Sequence, residues 1–459
     1  MAFLSVWESI VIRDSMFTTT YLIFSAYLLF LTQLTFAVLC ANASVRFANI
    51  ILINLVAVSG SLTFYVLFGG GGVANFFDAN DSNPEGSFDE HMRFFLFRCA
   101  SAVAAAGVAT GAVAGRTHFG AYLVFSIFIT CFVYPVVAHL VWSPDGPLSP
   151  SSAELLFGSG AIDFAGSGVV HLVGGVSGLW GSLIDGPRKM GWVSACEKAL
   201  PMMVRGAVVV VLGLSLLWFG FYLGMFGNIF VAYSSATTNQ VNWALMGRAA
   251  VVTAIAALSA GIVAFLGRRV LVGQWDALDA ANGMLSGFVA ISSGCSVVEP
   301  WAAVVCGLFA ASVLIGLNVS TQKLQFDNPL EAGQLHGGCG AWGLIFTGLF
   351  AKKEFVVQAY STSGESGVTR TFGLLMGGGW GLLAAQIIEL LVVVVWVSVT
   401  MGPLFYILHK FRILRIPLDK EISGLDNISS NGGYRAHLLS KEYYVPLRGK
   451  YTGIQDEQW

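Results

Sequence analysis

Two histidines, His171 and His336, sit inside long apolar segments, and each opens a run of small residues, HLVGGVSGLWGSL in one case and HGGCGAWGLIFTGL in the other. An imidazole is the side chain able to accept or relay a proton near neutral pH. At membrane depth an ionisable group is expensive unless it has a partner or lines a pathway, so two of them in matched contexts mark a translocation site. The competing reading is a pair of unrelated packing histidines. Asp163 stands eight positions before His171, and Asn328 occupies the corresponding place before His336.

The elements that must position these residues follow from composition. Of 459 residues, 56% are hydrophobic and only 11% are charged. Apolar runs of about 20 residues cross a hydrocarbon layer of roughly 30 Å as helices, whereas a barrel would show short alternating segments. The fold class is therefore an all-α polytopic membrane protein. About eleven spans are expected, near residues 17–40, 47–68, 93–115, 119–142, 161–184, 203–226, 243–267, 272–292, 297–317, 333–351 and 373–408. The net charge of -2 gives no reason to expect nucleic acid as a partner. The seven cysteines form no CxxC pair, and neither metal ligands, a cofactor motif nor HExxH is present, so an enzyme is not expected and the partner is the lipid bilayer.

An odd number of spans puts the termini on opposite sides. Arg46, Arg116, Arg188, Lys189, Lys198, Arg205, Arg268, Arg269 and Lys323 fall in alternate connections together with the basic tail, which makes those loops cytoplasmic and the amino terminus extracellular. Lys352, Lys353 and Arg370 run against the rule. His171 falls in the fifth span and His336 in the tenth, as two five-helix halves of opposite orientation plus a long final helix would place them. Transporters built as inverted repeats carry their site near the bilayer midplane, between the halves. The many glycines, Gly174, Gly178 and Gly181 among them, suit close helix packing rather than phosphate binding.

The stretch FGSGAIDFAGSGVVHLVGGVSGLWGSLIDGPR resembles the signature of the ammonium transporter (Amt/Mep/Rh) family, and FDNPLEAGQLHGGCGAWGLIFTGLFAKKE its second histidine segment. The likeness is nearest to the plant-type branch and extends to AYLVFSIFITCFVYPVVAHLVW, VGQWDALDAANGMLSGFVAISSGCSVVEPWAA and VSVTMGPLFYILHKFRILRI. It implies a homotrimer in the cell membrane, each protomer with its own narrow pore, and ammonium or ammonia as the substrate. His171 and His336 would be hydrogen-bonded along that pore. Asp163 would be the carboxylate near the outer recruitment site, Trp142 the vestibule aromatic, and Phe221 one of two stacked phenylalanines closing the mouth.

The departures gather at the outer gate. Arg98 stands where the family has Gln, Ser101 where it has the other gate phenylalanine, and Met225 where a vestibule serine is usual; Tyr222 and Gly115 also differ. A guanidinium about 4 Å from a bound ammonium would cost roughly 4 kcal/mol at an effective dielectric of 20, nearly three orders of magnitude in binding. Pairing with Asp89 or Glu90, or snorkelling to the headgroups, relieves that cost and is the preferred expectation. Two functions follow: an ammonium transporter with an altered gate, or a non-conducting sensor or regulatory subunit. Retention of both histidines favours the first. The expected division is a transmembrane domain, 1–410, and a cytoplasmic tail, 411–459, that resembles the family's regulatory segment, with Ser429 or Ser430 at its phosphorylatable position.

Overall fold

The computed structural model describes residues 20, 22–32, 84–188, 243–273, 275–324, 326–360, 370–418 and 421. The spans expected at 47–68 and 203–226 lie outside the described residues, as do Phe221, Tyr222, Met225, Ser429 and Ser430. Among the described residues the chain is helical, with a single isolated bridge between Thr117 and Arg415. The helices are α1 (Leu22–Thr32), α2 (Pro84–Ala112), α3 (Phe119–Trp142), α4 (Val173–Asp185), α5 (Trp243–Val272), α6 (Ala277–Ile291), α7 (Pro300–Lys323), α8 (Cys339–Phe350), α9 (Lys353–Tyr360) and α10 (Gly381–Lys410).

Five of these segments are long and apolar enough to cross a membrane: Phe119–Trp142, Ser167–Asp185, Ala244–Val272, Pro300–Lys323 and Gly381–Lys410. Their ends obey local chemistry. The Asp276 carboxylate accepts from Leu278 N at 2.9 Å and caps α6, His118 Nδ1 accepts from Gly120 N and caps α3, and Pro300 occupies the first turn of α7, where its missing N–H costs nothing. The short helix α9 was not expected from the sequence, which reads as a loop at Lys352 and Lys353.

Small residues let three helices of the second half approach closely. α5 packs on both α6 and α7, and the alanines Ala256 and Ala260 of α5 sit directly over Gly283, Gly287 and Gly307. Without a hydrophobic driving force between helices in lipid, such backbone proximity supplies the dispersion contact that holds a bundle together.

The two halves mirror each other around the histidines. α4 is entered through a π-helical turn, Ser167–Leu172, which contains His171; α8 is entered through another, Gly333–Gly338, which contains His336. Three residues after Asp163, Gly166 has φ +91°, and three residues after Asn328, Glu331 has φ +53°. The first π-turn packs on α8 and the second on α4. Gly175 and Gly340, each four residues beyond its histidine, occupy the two crossing points: a Cβ on Gly175 would overlap the backbone of Gly337, and one on Gly340 would lie 2.6 Å from Ser167 O. No other residue type fits there without parting the halves.

Before the first π-turn the chain is irregular through residues 161–166, yet buried. Its backbone groups are all the more in need of partners because lipid offers none. Phe164 N donates to Ser293 O at 3.0 Å and Ala165 N to Ser292 O at 2.9 Å, while the Gln386 side chain of α10 clamps Ile162 through both its N–H (2.6 Å) and its carbonyl (2.8 Å). The span expected to begin at 161 thus becomes helical only at 167, after a turn that frees several N–H groups for the site.

Candidate functional site

His171 and His336 are buried, at 0% and 3% exposure, and their Nδ1 atoms lie 3.1 Å apart. The ring planes are 17° from parallel with centroids 5.1 Å apart. A hydrogen bond between two Nδ1 atoms requires opposite tautomers, one ring with its proton on Nδ1 and the other with it on Nε2. Placing protons on both Nδ1 atoms would set two N–H groups against each other at that distance. The contact therefore accommodates one proton between the two rings. Phe288 of α6 presents its ring at 85° to His171, with centroids 6.3 Å apart, and supplies an apolar wall.

At one end of this pair lies Asp163, 2% exposed. Its carboxylate accepts from three backbone N–H groups, Gly166 at 3.1 Å, Gly168 at 2.9 Å and Val169 at 2.9 Å. The irregular turn and the π-helix that follows direct these donors at one acid, so the Asp caps the turn. Trp142, half-buried at the end of α3, donates from Nε1 to Asp163 O at 2.6 Å. The structure thus joins two sequence-identified residues that the spacing alone left apart. In the second half Asn328 keeps only the capping role: its Oδ1 accepts from Ala332 N at 3.1 Å, and its amide donates to Gln334.

Ser101 is buried on α2, its hydroxyl donating to Phe97 O at 3.1 Å, while Arg98 on the preceding turn is exposed. The side chains of Asp89 and Glu90 lie outside the described residues.

The ends of α2 and α4 carry a charge network that sequence reasoning did not assemble. Arg116 is fully buried; its Nη2 donates to Asp327 O at 2.8 Å and its Nη1 to Asp327 Oδ2 at 3.3 Å. Arg188 forks onto the same carboxylate from Nε (2.8 Å) and Nη2 (2.9 Å), with its backbone N–H adding a third bond at 2.9 Å. Burial alone would push the Asp327 carboxyl up, but the Arg188 fork and the Arg116 charge hold it below its usual range. Thr117 donates to Asp185 at 2.6 Å, and Arg415, beyond α10, donates to Asp185 O at 2.6 Å, to Pro187 O at 2.8 Å and to both Glu421 oxygens at 3.0 Å. Ile416 N to Arg116 O and His118 N to Leu414 O complete the seam. The first residues after α10 are thereby stitched to the ends of α2 and α4. In the sequence Arg116 and Arg188 serve as markers of orientation; no local signal distinguishes a buried arginine from a solvated one.

Gln386 and Glu389 of α10 were likewise passed over. The signal existed for the latter: an acid within an apolar helix obeys the same rule that singled out the histidines.

A sequence profile of the Ammonium Transporter Family matches residues 19–432. Ammonium transporter 1 member 3 of Solanum lycopersicum is 56% identical over 468 residues, covering 99% of this chain and 100% of its own. Among solved structures, one titled Sensor Amt Protein superimposes with a TM-score of 0.72 at 25% identity, covering 92% of this chain and 100% of its own. Mep2 of Candida albicans gives a TM-score of 0.68 at 20% identity over 88% of this chain and 87% of its own, a likeness of fold.

Proposed function

Because the chain belongs to the ammonium transporter family, we propose that it recruits ammonium at the Asp163 end, removes a proton and passes ammonia beside His171 and His336. The contact that carries this reading is the 3.1 Å approach of the two Nδ1 atoms inside the buried crossing of the halves. Ammonium is compact and strongly hydrated, and carrying it bare through an apolar tube has an idealised cost of order 20 kcal/mol. Ammonia avoids that cost. Sodium and potassium have no proton to surrender, so a pathway that admits only the neutral form excludes them.

In this reading Asp163 supplies the counter-charge at the mouth and the Trp142 ring a cation–π face worth about 1 kcal/mol. Phe221 and Ser101 stand at the two positions that resemble the family's gate phenylalanines, and Met225 at that of its vestibule serine. Arg98, exposed rather than buried, sits where snorkelling to the headgroups spares the recruited cation. The amino terminus is extracellular, the 411–459 tail is cytoplasmic and regulatory, and three copies assemble as the family does. The seam around Arg116, Asp185 and Arg415 is the route by which a tail bearing a phosphate at Ser429 or Ser430 acts on the pore.

The alternative is a non-conducting sensor, and the solved sensor protein keeps it in view. The Solanum lycopersicum relative at 56% identity carries a transporter name, which favours transport. Methylammonium uptake in a strain lacking its own ammonium transporters separates the two. A surface-expressed protein that takes up none, with uptake regained in Arg98→Gln plus Ser101→Phe, would defeat the transporter reading. Current recording alongside isotope uptake then tells electrogenic transport from neutral ammonia conduction.

A further inference from the structure

The last helix delivers to the recruitment end a second acid that the mechanism above leaves unused. Glu389 lies on the buried stripe of α10, one turn beyond Gln386, and has 0% exposure. The Gln386 clamp on Ile162 fixes the height of α10 against the irregular turn, so Glu389 is presented to the segment carrying Asp163. A methyl group built on Gly168 would meet Glu389 Oε1 at 2.6 Å and Asp163 Oδ2 at 3.3 Å. The two carboxyl oxygens are therefore within about 6 Å of each other, where one charge strongly biases the other.

Their surroundings differ. Asp163 accepts from three backbone N–H groups. No donor among the described residues reaches either Glu389 oxygen, and the charged group that acts on Glu389 is the Asp163 carboxyl. A carboxylate buried without a donor is among the costliest groups a protein can hold, and a neighbouring negative charge adds to the cost. One proton on Glu389 removes both penalties, because the neutral acid has an O–H to donate and Asp163 stands ready to accept it. The other titratable groups of this neighbourhood are Tyr134 on α3 and Cys295 after α6, on both of which the Asp163 charge acts, with Arg98 and Cys99 of α2 acting on Tyr134.

We propose that Glu389 and Asp163 share a single proton, held mainly by Glu389, so that the recruitment end presents one negative charge and Glu389 sets its strength. Glu389 is a positioning residue: it acts on the cation through Asp163. As pH rises the shared proton is lost, the pair becomes doubly charged, and an arriving cation is held more tightly. A pair that has gained a second proton in acid attracts none.

The proposal rests on the recruitment role of Asp163, and its test has one arm independent of transport. Infrared difference spectra of the purified full-length protein are expected to show the C=O band of a protonated carboxyl near neutral pH that disappears in Glu389→Gln, a change that preserves shape and still offers Asp163 a donor. Superimposable spectra for the two proteins overturn the proposal. Should the amide variant fail to fold, Glu389→Asp is expected to shift that band, and an unshifted band has the same adverse meaning. In the second arm, KM for methylammonium falls across the alkaline range in the unaltered protein and stays flat in Glu389→Gln; identical profiles count against the pair. A protein that takes up no methylammonium at all sinks the transport reading and leaves the infrared result to decide the pair.

Discussion

Replacing Gly340 by Ala tests whether the crossing of the two halves holds the histidines in register. The added Cβ would lie 2.6 Å from Ser167 O, and ordinary contact begins at 3.4 Å, so the crossing must open by about 0.8 Å. Ser167 is one turn before His171 and Gly340 one turn after His336, so the opening falls on the pair. A separation of 3.1 Å between the Nδ1 atoms then grows beyond the 3.5 Å or so at which a hydrogen bond between them is lost. Overpacking of this kind costs about 1–3 kcal/mol of stability, which leaves most of the protein folded. Misplacement of reacting groups by about 1 Å lowers rates by about 100-fold. Methylammonium uptake, normalised to surface protein, is expected to fall by one to two orders of magnitude on that scale. Gly316→Ala is the control: on α7 nothing among the described residues lies within 4 Å of its added Cβ, and an exposed helical Gly→Ala change is favourable by about 1 kcal/mol. Uptake by Gly340→Ala at the unaltered rate, from protein shown to be at the surface, would refute the claim that this contact keeps the imidazoles together.

Asp327→Asn strips the nearer of the two carboxylates beside fully buried Arg116 and leaves Asp185 at 3.9 Å, so a loss at the lower end of about 3–5 kcal/mol is expected in thermal or denaturant unfolding. Because the Asp327 carboxyl is held low in the folded protein, its contribution is complete above the ordinary carboxylate range of about 4 and is lost as pH falls through the depressed value. The acid side of the stability profile should flatten in the Asn variant, and an unchanged slope refutes the assignment. Asp163→Asn leaves one acceptor for three backbone donors and no charge, so uptake is expected to fall by at least tenfold while the protein still reaches the surface; uptake within twofold of normal would remove Asp163 from recruitment. Arg415→Ala removes the side-chain bonds to Asp185 and Pro187 and leaves, among the described residues, only two backbone bonds to hold the chain beyond α10, so limited proteolysis should cut after residue 410 faster than in the unaltered protein. Ser429→Asp is expected to lower flux, and unchanged transport in that variant dismisses the tail serine as a control point.

What could be read from the residues in order was whatever depends on local sums and on rules about solvent. Hydrophobic composition and run length determine that the chain is a membrane-spanning helical protein, because every backbone polar group in lipid must be satisfied within its own segment. The cost of an ionisable side chain in that medium singles out His171 and His336 without any coordinates. Gly174, Gly178 and Gly181 announce close helix packing, but nothing in the sequence sets Gly175 and Gly340 apart from the other glycines as the crossing points.

The tertiary structure decided which atoms meet. That the histidines face each other through Nδ1, that Trp142 is tied to the Asp163 carbonyl, that Arg116 is a buried ion rather than a loop charge, and that Glu389 stands beside Asp163 all depend on segments distant in the chain. Helical periodicity specifies which face of a segment is apolar, but not the depth at which one helix slides past another or the angle at which two halves cross. Those are set by backbone contacts as close as the one at Gly340, and a single added carbon is enough to change them.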